Sequence, residues 1–222
     1  PHEFKDDTTM FDQLVRMQHY EFPTRLLDVS TNPLVALYFA TDIYVENGKE
    51  MDGKVQGFFV PRERQSYFDS DRVRCMANLA NLTSREKENI QKAIGLGKEE
   101  FNESEGVKRL LWFVRIERPH FSADIKPSDL RLPVFVIPKM SNRRIIAQSG
   151  AFVLFGLKES HKRISEEGLR VQRLIIPAEV KSELRYQLER LGIHAGSLFP
   201  EIDKAARFLM QKNYRAIVDL NK

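Results

Sequence analysis

Residues 18–40 read QHYEFPTRLLDVSTNPLVALYFA. This run joins the end of one helix, a proline break, an Arg–Asp loop and a second, strongly apolar helix. Mixed chemistry in a loop between apolar elements is where function concentrates. Upstream, Thr9 and Asp12 form a capping-box pattern that opens a helix over residues 9–22. Phe11, Leu14, Val15, Gln18, His19 and Phe22 recur on one helical face, which predicts burial of that face. Gln18 and His19 close it, and two readings stay open: satisfied polar groups under a loop, or the lining of a pocket. Pro23 ends the helix, because the residue before proline disfavours the α region.

Arg25 and Asp28 flank Leu26 and Leu27. They read either as a half-buried ion pair that pins the loop or as ligand contacts; burying one alone would be costly. Thr31-Asn32-Pro33 starts the next helix with a capping residue and a proline at the first position. Leu34 to Thr41 is apolar nearly all round, the pattern of a core helix over residues 33–45. Tyr38 is its one polar tip before Thr41, and a buried tyrosine hydroxyl normally finds a partner.

Further on, residues 54–60 (KVQGFFV) read as a strand ended by Pro61. Ser70 or Asp71 caps one helix, and Thr83 to Glu86 is a full capping box for another, giving a helical insertion near residues 70–95. KEEFNESEGVK, residues 98–108, reads as a polar loop. LLWFVRI (110–116) and VFVI (134–137) read as strands. Asn142 to Gly156, NRRIIAQSGAFVLFG, reads as extended, with Gln148, Gly150 and Phe152 on one face. Glycine there lets a backbone or ligand approach closely, and Arg143 and Arg144 just upstream are a moderate phosphate signal. Residues 158–168 read as charged surface and 171–176 as a strand. Ala178 to Leu191 reads as an amphipathic helix stopped by Gly192, and Ile202 to Met210 as a last helix.

Strands at 54–60, 110–116, 134–137, 151–157 and 171–176 do not alternate with helices in βαβ units. They predict an α+β fold with a mixed, largely antiparallel sheet flanked by helices. The 222 residues read as a single domain, and the 42% apolar content supports a core. Net charge is +4, from 35 basic and 31 acidic residues, too small an excess to imply nucleic-acid binding by itself. No apolar run of about 18 residues occurs, so no membrane span is expected. The opening PHEFKDDTTM is polar and lacks an initiator Met, which suggests a fragment without a signal peptide. One cysteine and five scattered histidines point to no disulfide framework, no metal and a reducing, cytoplasmic location. No P-loop, G-x-G-x-x-G, H-E-x-x-H or G-x-S-x-G motif is present.

The run from Gln18 to Ala40 closely resembles the hallmark of FRG-domain proteins, near QHYGLPTRLLDWTTNPLVALYFA. Glu21 stands where that family usually has glycine, and Val29 where it usually has tryptophan. Asn142, Arg144, Ile145, Gln148, Gly150 and Phe152 resemble a second family stretch, and Leu191 to Asp203 a third. The family's Phe-x-Arg-Gly motif is expected N-terminal to this segment and is absent from it. The family tends to occur in bacteria and phages, which implies a setting in toxin or phage-defence systems.

The order of these elements is similar to that of ADP-ribosyltransferases, and this likeness implies NAD as cofactor. On that reading Tyr38 and Gln148 are the catalytic pair, Tyr38 stacking on nicotinamide and Gln148 holding its ribose. Arg25 or Arg144 holds the diphosphate, with Gln18, His19, Asp28, Thr31, Asn32, Gly150 and Phe152 lining the site. A glutamine carries no charge to stabilise an oxocarbenium-like ribose, so either another acid such as Asp28 or Glu21 supplies it, or the site binds a nucleotide without turnover. The competing reading is a non-enzymatic sensor or interaction module that binds a nucleotide, a nucleic acid or a protein.

Overall fold

A computed structural model describes residues 4–140, 142–157 and 169–200. In chain order these form α1 (Met10–His19), β1 (Leu26–Ser30), α2 (Pro33–Ala40), the short strands β2 (Val45–Glu46) and β3 (Lys49–Glu50), β4 (Gly53–Phe59) and β5 (Gln65–Tyr67). There follow α3 (Asp71–Asn78), α4 (Ser84–Ala93), α5 (Lys98–Glu103), α6 (Glu105–Glu117), α7 (Pro127–Arg131) and β6 (Val134–Ile137). The chain continues with α8 (Arg143–Ala147), β7 (Gly150–Leu154), β8 (Arg170–Ile176), α9 (Lys181–Arg190) and α10 (Ala195–Leu198). The fold is α+β. Its four-stranded sheet runs β1-β7-β6-β5 and is mixed: β5 and β6 are parallel with Ser66 opposite Val136, while β6 and β7 are antiparallel with Val136 opposite Phe152.

The chain divides into two compact units: residues 1–28, 59–138 and 152–170, and residues 29–58, 139–151 and 171–222. In the first, α3 packs on α1 and α6, and α4 packs on α6. Val73, Met76, Leu79, Ile90, Phe101, Val107, Leu110, Val114 and Leu130 are its fully buried centre. Glu117, at the end of α6, accepts from the backbone N–H of Met10 (2.9 Å) and from Asn78 Nδ2 (2.7 Å). It thereby satisfies one of the donors that the start of α1 leaves without an intrahelical partner. In the second unit, α9 packs on α2, and Val35, Tyr38, Leu188 and Leu198 form the core.

Two expectations are corrected here. Residues 110–116 are helical, not a strand, and the supposed polar loop before them is α5 and the first turn of α6. Val107, Leu110, Leu111 and Val114 are buried at helical spacing, and Trp112 (52%) and Ile116 (63%) face outward. The apolar run alone has no period that separates strand from helix; the period becomes visible only when Val107 is counted with it. Gly106 marks a close helix crossing: a Cβ there would lie 2.8 Å from Ile90 Cγ1 and 2.9 Å from the Glu86 carbonyl. The helical region thus extends well past residue 95.

The second correction concerns Asn142 to Gly156. Asn142 caps α8, its Oδ1 accepting from Arg144 N at 2.8 Å, and Gln148 is the residue that ends that helix. The strand starts only at Gly150, so Gln148 does not share a strand face with Gly150 and Phe152. Strand 134–137 forms as read, and strands 54–60, 151–157 and 171–176 form with shifted ends. The reading of residues 158–168 and of a helix from Ile202 to Met210 lies outside the described residues.

Candidate functional site

In the first unit the loop after α1 is held by a polar relay. Thr24 Oγ1 donates to Gln18 Oε1 (2.6 Å), and Gln18 Nε2 donates to Asp28 Oδ2 (3.1 Å). Gln18 is half-buried, while His19 and Asp28 are exposed. His19 packs edge-on against Tyr20, with ring centroids 5.4 Å apart. The expected Arg25–Asp28 ion pair does not form. Arg25 Nη1 donates instead to the carbonyls of Phe155 (2.8 Å) and Gly156 (3.5 Å), while the Arg25 carbonyl accepts from Phe155 N. Burial pushes the Arg25 pKa down to about 10, which leaves it charged at neutral pH. The guanidinium therefore serves carbonyl groups where β7 ends. Phe152 is buried and meets Phe11 of α1 edge-on at 6.0 Å.

In the second unit the two sequence stretches meet through their backbones. Ser30 Oγ donates to the Gln148 carbonyl (2.8 Å), and Thr31 donates to the Ser149 carbonyl through both N (2.9 Å) and Oγ1 (3.1 Å). Ser149 has a positive φ of 47°. Asn32 caps α2, accepting from Leu34 N at 3.0 Å. Thr31, Asn32, Gln148 and Gly150 are thus brought to one locus, with Gln148 Nε2 donating to the Leu198 carbonyl (3.1 Å).

A row of rings and cations adjoins them. Arg144 Cζ lies 5.2 Å from the Phe199 centroid, Phe199 meets Phe39 edge-on at 6.0 Å, and Phe39 meets Tyr38 at 6.2 Å. Arg185 Cζ closes the row 4.3 Å from the Tyr38 centroid. Tyr38 is 3% exposed beneath it, while Phe39 is 38% exposed. Arg185 donates to Asp42 Oδ1 from Nη1 and Nη2, both at 2.9 Å, and to Thr41 Oγ1 at 3.4 Å. Desolvation works against its charge, but hydrogen bonds to Tyr38 and Asp42 and their charges outweigh it and raise its pKa. Nearby, buried Lys181 donates from Nζ to the carbonyls of Asp42 (3.0 Å) and Met51 (2.6 Å).

Sequence reading missed Phe39, Phe199 and Arg185 as parts of this row. Phe39 looked like one more apolar residue of a core helix, yet the buried face of α2 carries only Val35 and Tyr38. Phe199 lay inside the third family-like stretch, so a signal existed. Arg185 had none: it is one cation on the polar side of an amphipathic helix.

The family model of the FRG domain matches residues 2–49. The match takes in α1, β1, α2 and β2, and so includes the Gln18–Thr24–Asp28 relay and Tyr38. The Asn142–Phe152 stretch lies beyond the matched FRG residues. No curated protein and no solved structure matches the chain. Among the described residues no group of three or more His, Cys, Asp or Glu side chains could hold a metal ion, and no helix is long and apolar enough to cross a membrane.

Proposed function

We propose that the second unit binds a nucleotide of the NAD type at the locus of Arg144, Gln148, Phe199 and Phe39, with ADP-ribosyl transfer as the reaction built on that binding. The observation that carries the reading is Arg144. Its guanidinium lies against the Phe199 ring, and among the described residues no carboxylate pairs with it. An arginine whose guanidinium sits over a ring can still present N–H groups to a phosphate. The half-exposed Phe39 ring offers a face to a base.

Gln148 has its Nε2 engaged by Leu198, which leaves its amide oxygen to accept from a ribose hydroxyl. Ser30 and Thr31 hold the backbone from which Gln148 projects, donating to the Gln148 and Ser149 carbonyls, and Asn32 caps α2 beside them. Tyr38 has its ring under Arg185, so its part is to position Arg185 rather than to stack on a ligand. Arg25 is committed to carbonyl oxygens, which assigns phosphate binding to Arg144. NAD would supply a glycosidic bond whose cleavage leaves positive charge on the ribose; Gln148 orients that ribose without neutralising it.

Calorimetric titration with NAD and ADP-ribose tests the binding step. The expected result is saturable binding that weakens at least tenfold in Arg144→Ala. Absence of binding by the wild-type protein overturns the whole reading. Incubation with labelled NAD and cell extract tests the transfer step: release of nicotinamide with labelled product supports it, and binding without release reduces the function to nucleotide sensing.

A further inference from the structure

The β2–β3 hairpin turns on Asn47 and Gly48, both at positive φ (51° and 77°), with Val45 opposite Glu50 and Glu46 opposite Lys49. Two-residue turns of this hand match the twist of the strands they join. The base of the hairpin is gripped from α9 and the turn before it. Lys181 Nζ donates to the carbonyls of Asp42 and Met51, Arg185 donates to Asp42 Oδ1, and Asp52 Oδ1 accepts from Ala178 N at 3.0 Å. Both ends of the ribbon are therefore fixed within the second unit.

Backbone pairing on β2 is one-sided. Met51 N donates to the Tyr44 carbonyl at 2.9 Å, so Tyr44 and Met51 are a hydrogen-bonded pair. Such pairs alternate along an antiparallel ladder, which makes Glu46 and Lys49 the next one and leaves Val45 and Glu50 without bonds. The N–H and C=O of Val45, and those of Ile43 two residues before it, point away from β3. Among the described residues β2 pairs with no strand but β3, so that edge is open. Its side chains are β-branched or aromatic, and all are exposed: Ile43 76%, Tyr44 62% and Val45 56%. Charges and prolines normally keep an edge strand from pairing, and these three positions carry neither.

An open apolar edge takes another strand, and residues 43–45 are complementary to themselves. Run antiparallel about a two-fold axis at Tyr44, Ile43 of each copy falls opposite Val45 of the other, and Tyr44 opposite Tyr44. Ile43 and Val45 are the residues whose backbone groups point outward, so each Ile–Val pair exchanges both of its hydrogen bonds. The tyrosines meet at a non-hydrogen-bonded position, where side chains come closest, and aromatic pairs are favourable there. We propose that two copies of this chain pair edge to edge through β2, giving a four-stranded ribbon about a two-fold axis. Asp42 and Glu46 flank the paired residues and fall opposite each other. Arg185 already holds the first, and Lys49 stands across from the second, so cations of the same chain balance both. Three residues a side bury less than the roughly 1,200 Å² of a stable interface, so the dimer is weak and forms as concentration rises. The proposal does not rest on the nucleotide reading, whose ligand-contacting residues it does not use.

Sedimentation velocity of the 222-residue chain over a wide concentration range should show a shift from monomer to dimer. Val45→Pro removes an outward N–H without cutting a bond of the hairpin, and should weaken dimerisation about tenfold or more. Val45→Lys keeps the backbone intact and charges the edge, and should do the same with an unchanged circular dichroism spectrum. Disulfide trapping reads the register. Tyr44→Cys should cross-link with itself on oxidation, whereas Ile43→Cys and Val45→Cys should cross-link when mixed and not singly. The buried Cys75 should leave the wild type uncross-linked. A monomer at every concentration, undiminished dimerisation in both Val45 variants, or self-cross-linking by Ile43→Cys in place of Tyr44→Cys would each overturn the proposal.

Discussion

Arg185 of α9 lies 4.3 Å from the ring centroid of Tyr38 of α2 and donates to Asp42 just past that helix. One side chain therefore covers a buried ring and neutralises the carboxylate beside it. Arg185→Ala should lower stability by about 1–2 kcal/mol, the scale of a partly desolvated cation–π contact with an ion pair. Arg185→Lys should recover part of the charge but not the planar stacking. Urea unfolding read by tyrosine fluorescence measures both variants. An unchanged midpoint in Arg185→Ala would show the contact to be ornamental.

Glu21→Gly should raise stability by about 1 kcal/mol. The substitution removes the Cβ from a left-handed position and a carboxylate from a helix C-terminus. The added freedom of glycine in the unfolded chain offsets part of this gain. Gly192, at φ +82° after α9, makes with glycine the left-handed closure that Glu21 makes at φ +63° after α1. Thermal unfolding of the two proteins side by side is the check, and a lower midpoint in the variant would contradict the strain argument.

Gly106→Ala should destabilise by about 1–3 kcal/mol, the range for overpacking a fitted core. The new methyl would press on Ile90 and on the backbone of α4, at 2.8–2.9 Å before relaxation. In a free helix the same change would stabilise, since alanine has the higher propensity. The sign of the measured change thus reports whether α4 and α6 cross as closely as described. A stabilised Gly106→Ala would refute that crossing.

The glycine at 106 also shows where sequence reading stops. Glycine among Glu, Ser and Lys looks like a loop, and LLWFVRI after it looks like a strand. Both impressions come from local composition, whereas a helix packed on another helix needs the glycine and hides its own period behind Trp112 and Ile116. Where local chemistry is decisive, the sequence was enough: the Thr9–Asp12 and Thr83–Glu86 capping boxes, Asn32 before Pro33, and the stop at Gly192 all form.

The candidate site divides in the same way. Thr31, Asn32 and Gln148 could be singled out because their types are informative. The partners of Arg25 could not, because Phe155 and Gly156 offer backbone carbonyls that leave no trace in residue identity. Nor could the cover of Tyr38 by Arg185, which depends on how α2 and α9 pack.

The capping box at Thr83 gives a prediction in pH. Glu86 Oε2 accepts from Thr83 N at 2.7 Å and from Thr83 Oγ1 at 2.9 Å. The backbone hydrogen bond, then the hydroxyl one, holds the Glu86 carboxyl below its usual value; desolvation opposes them, and the charges of Arg109 and Lys87 add a lesser lowering. A carboxylate whose folded pKa is depressed stabilises the folded state above its unfolded pKa. That contribution is lost as pH falls through the folded pKa. Thr83→Ala removes the hydroxyl half of the box and should move the Glu86 titration upward in carboxyl-carbon NMR, while the remaining glutamates titrate as before. The variant should also lose less stability on acidification than the wild type, because less of its stability depends on Glu86 being ionised. An identical Glu86 titration in both proteins would mean that the hydroxyl does not contribute to the depressed pKa.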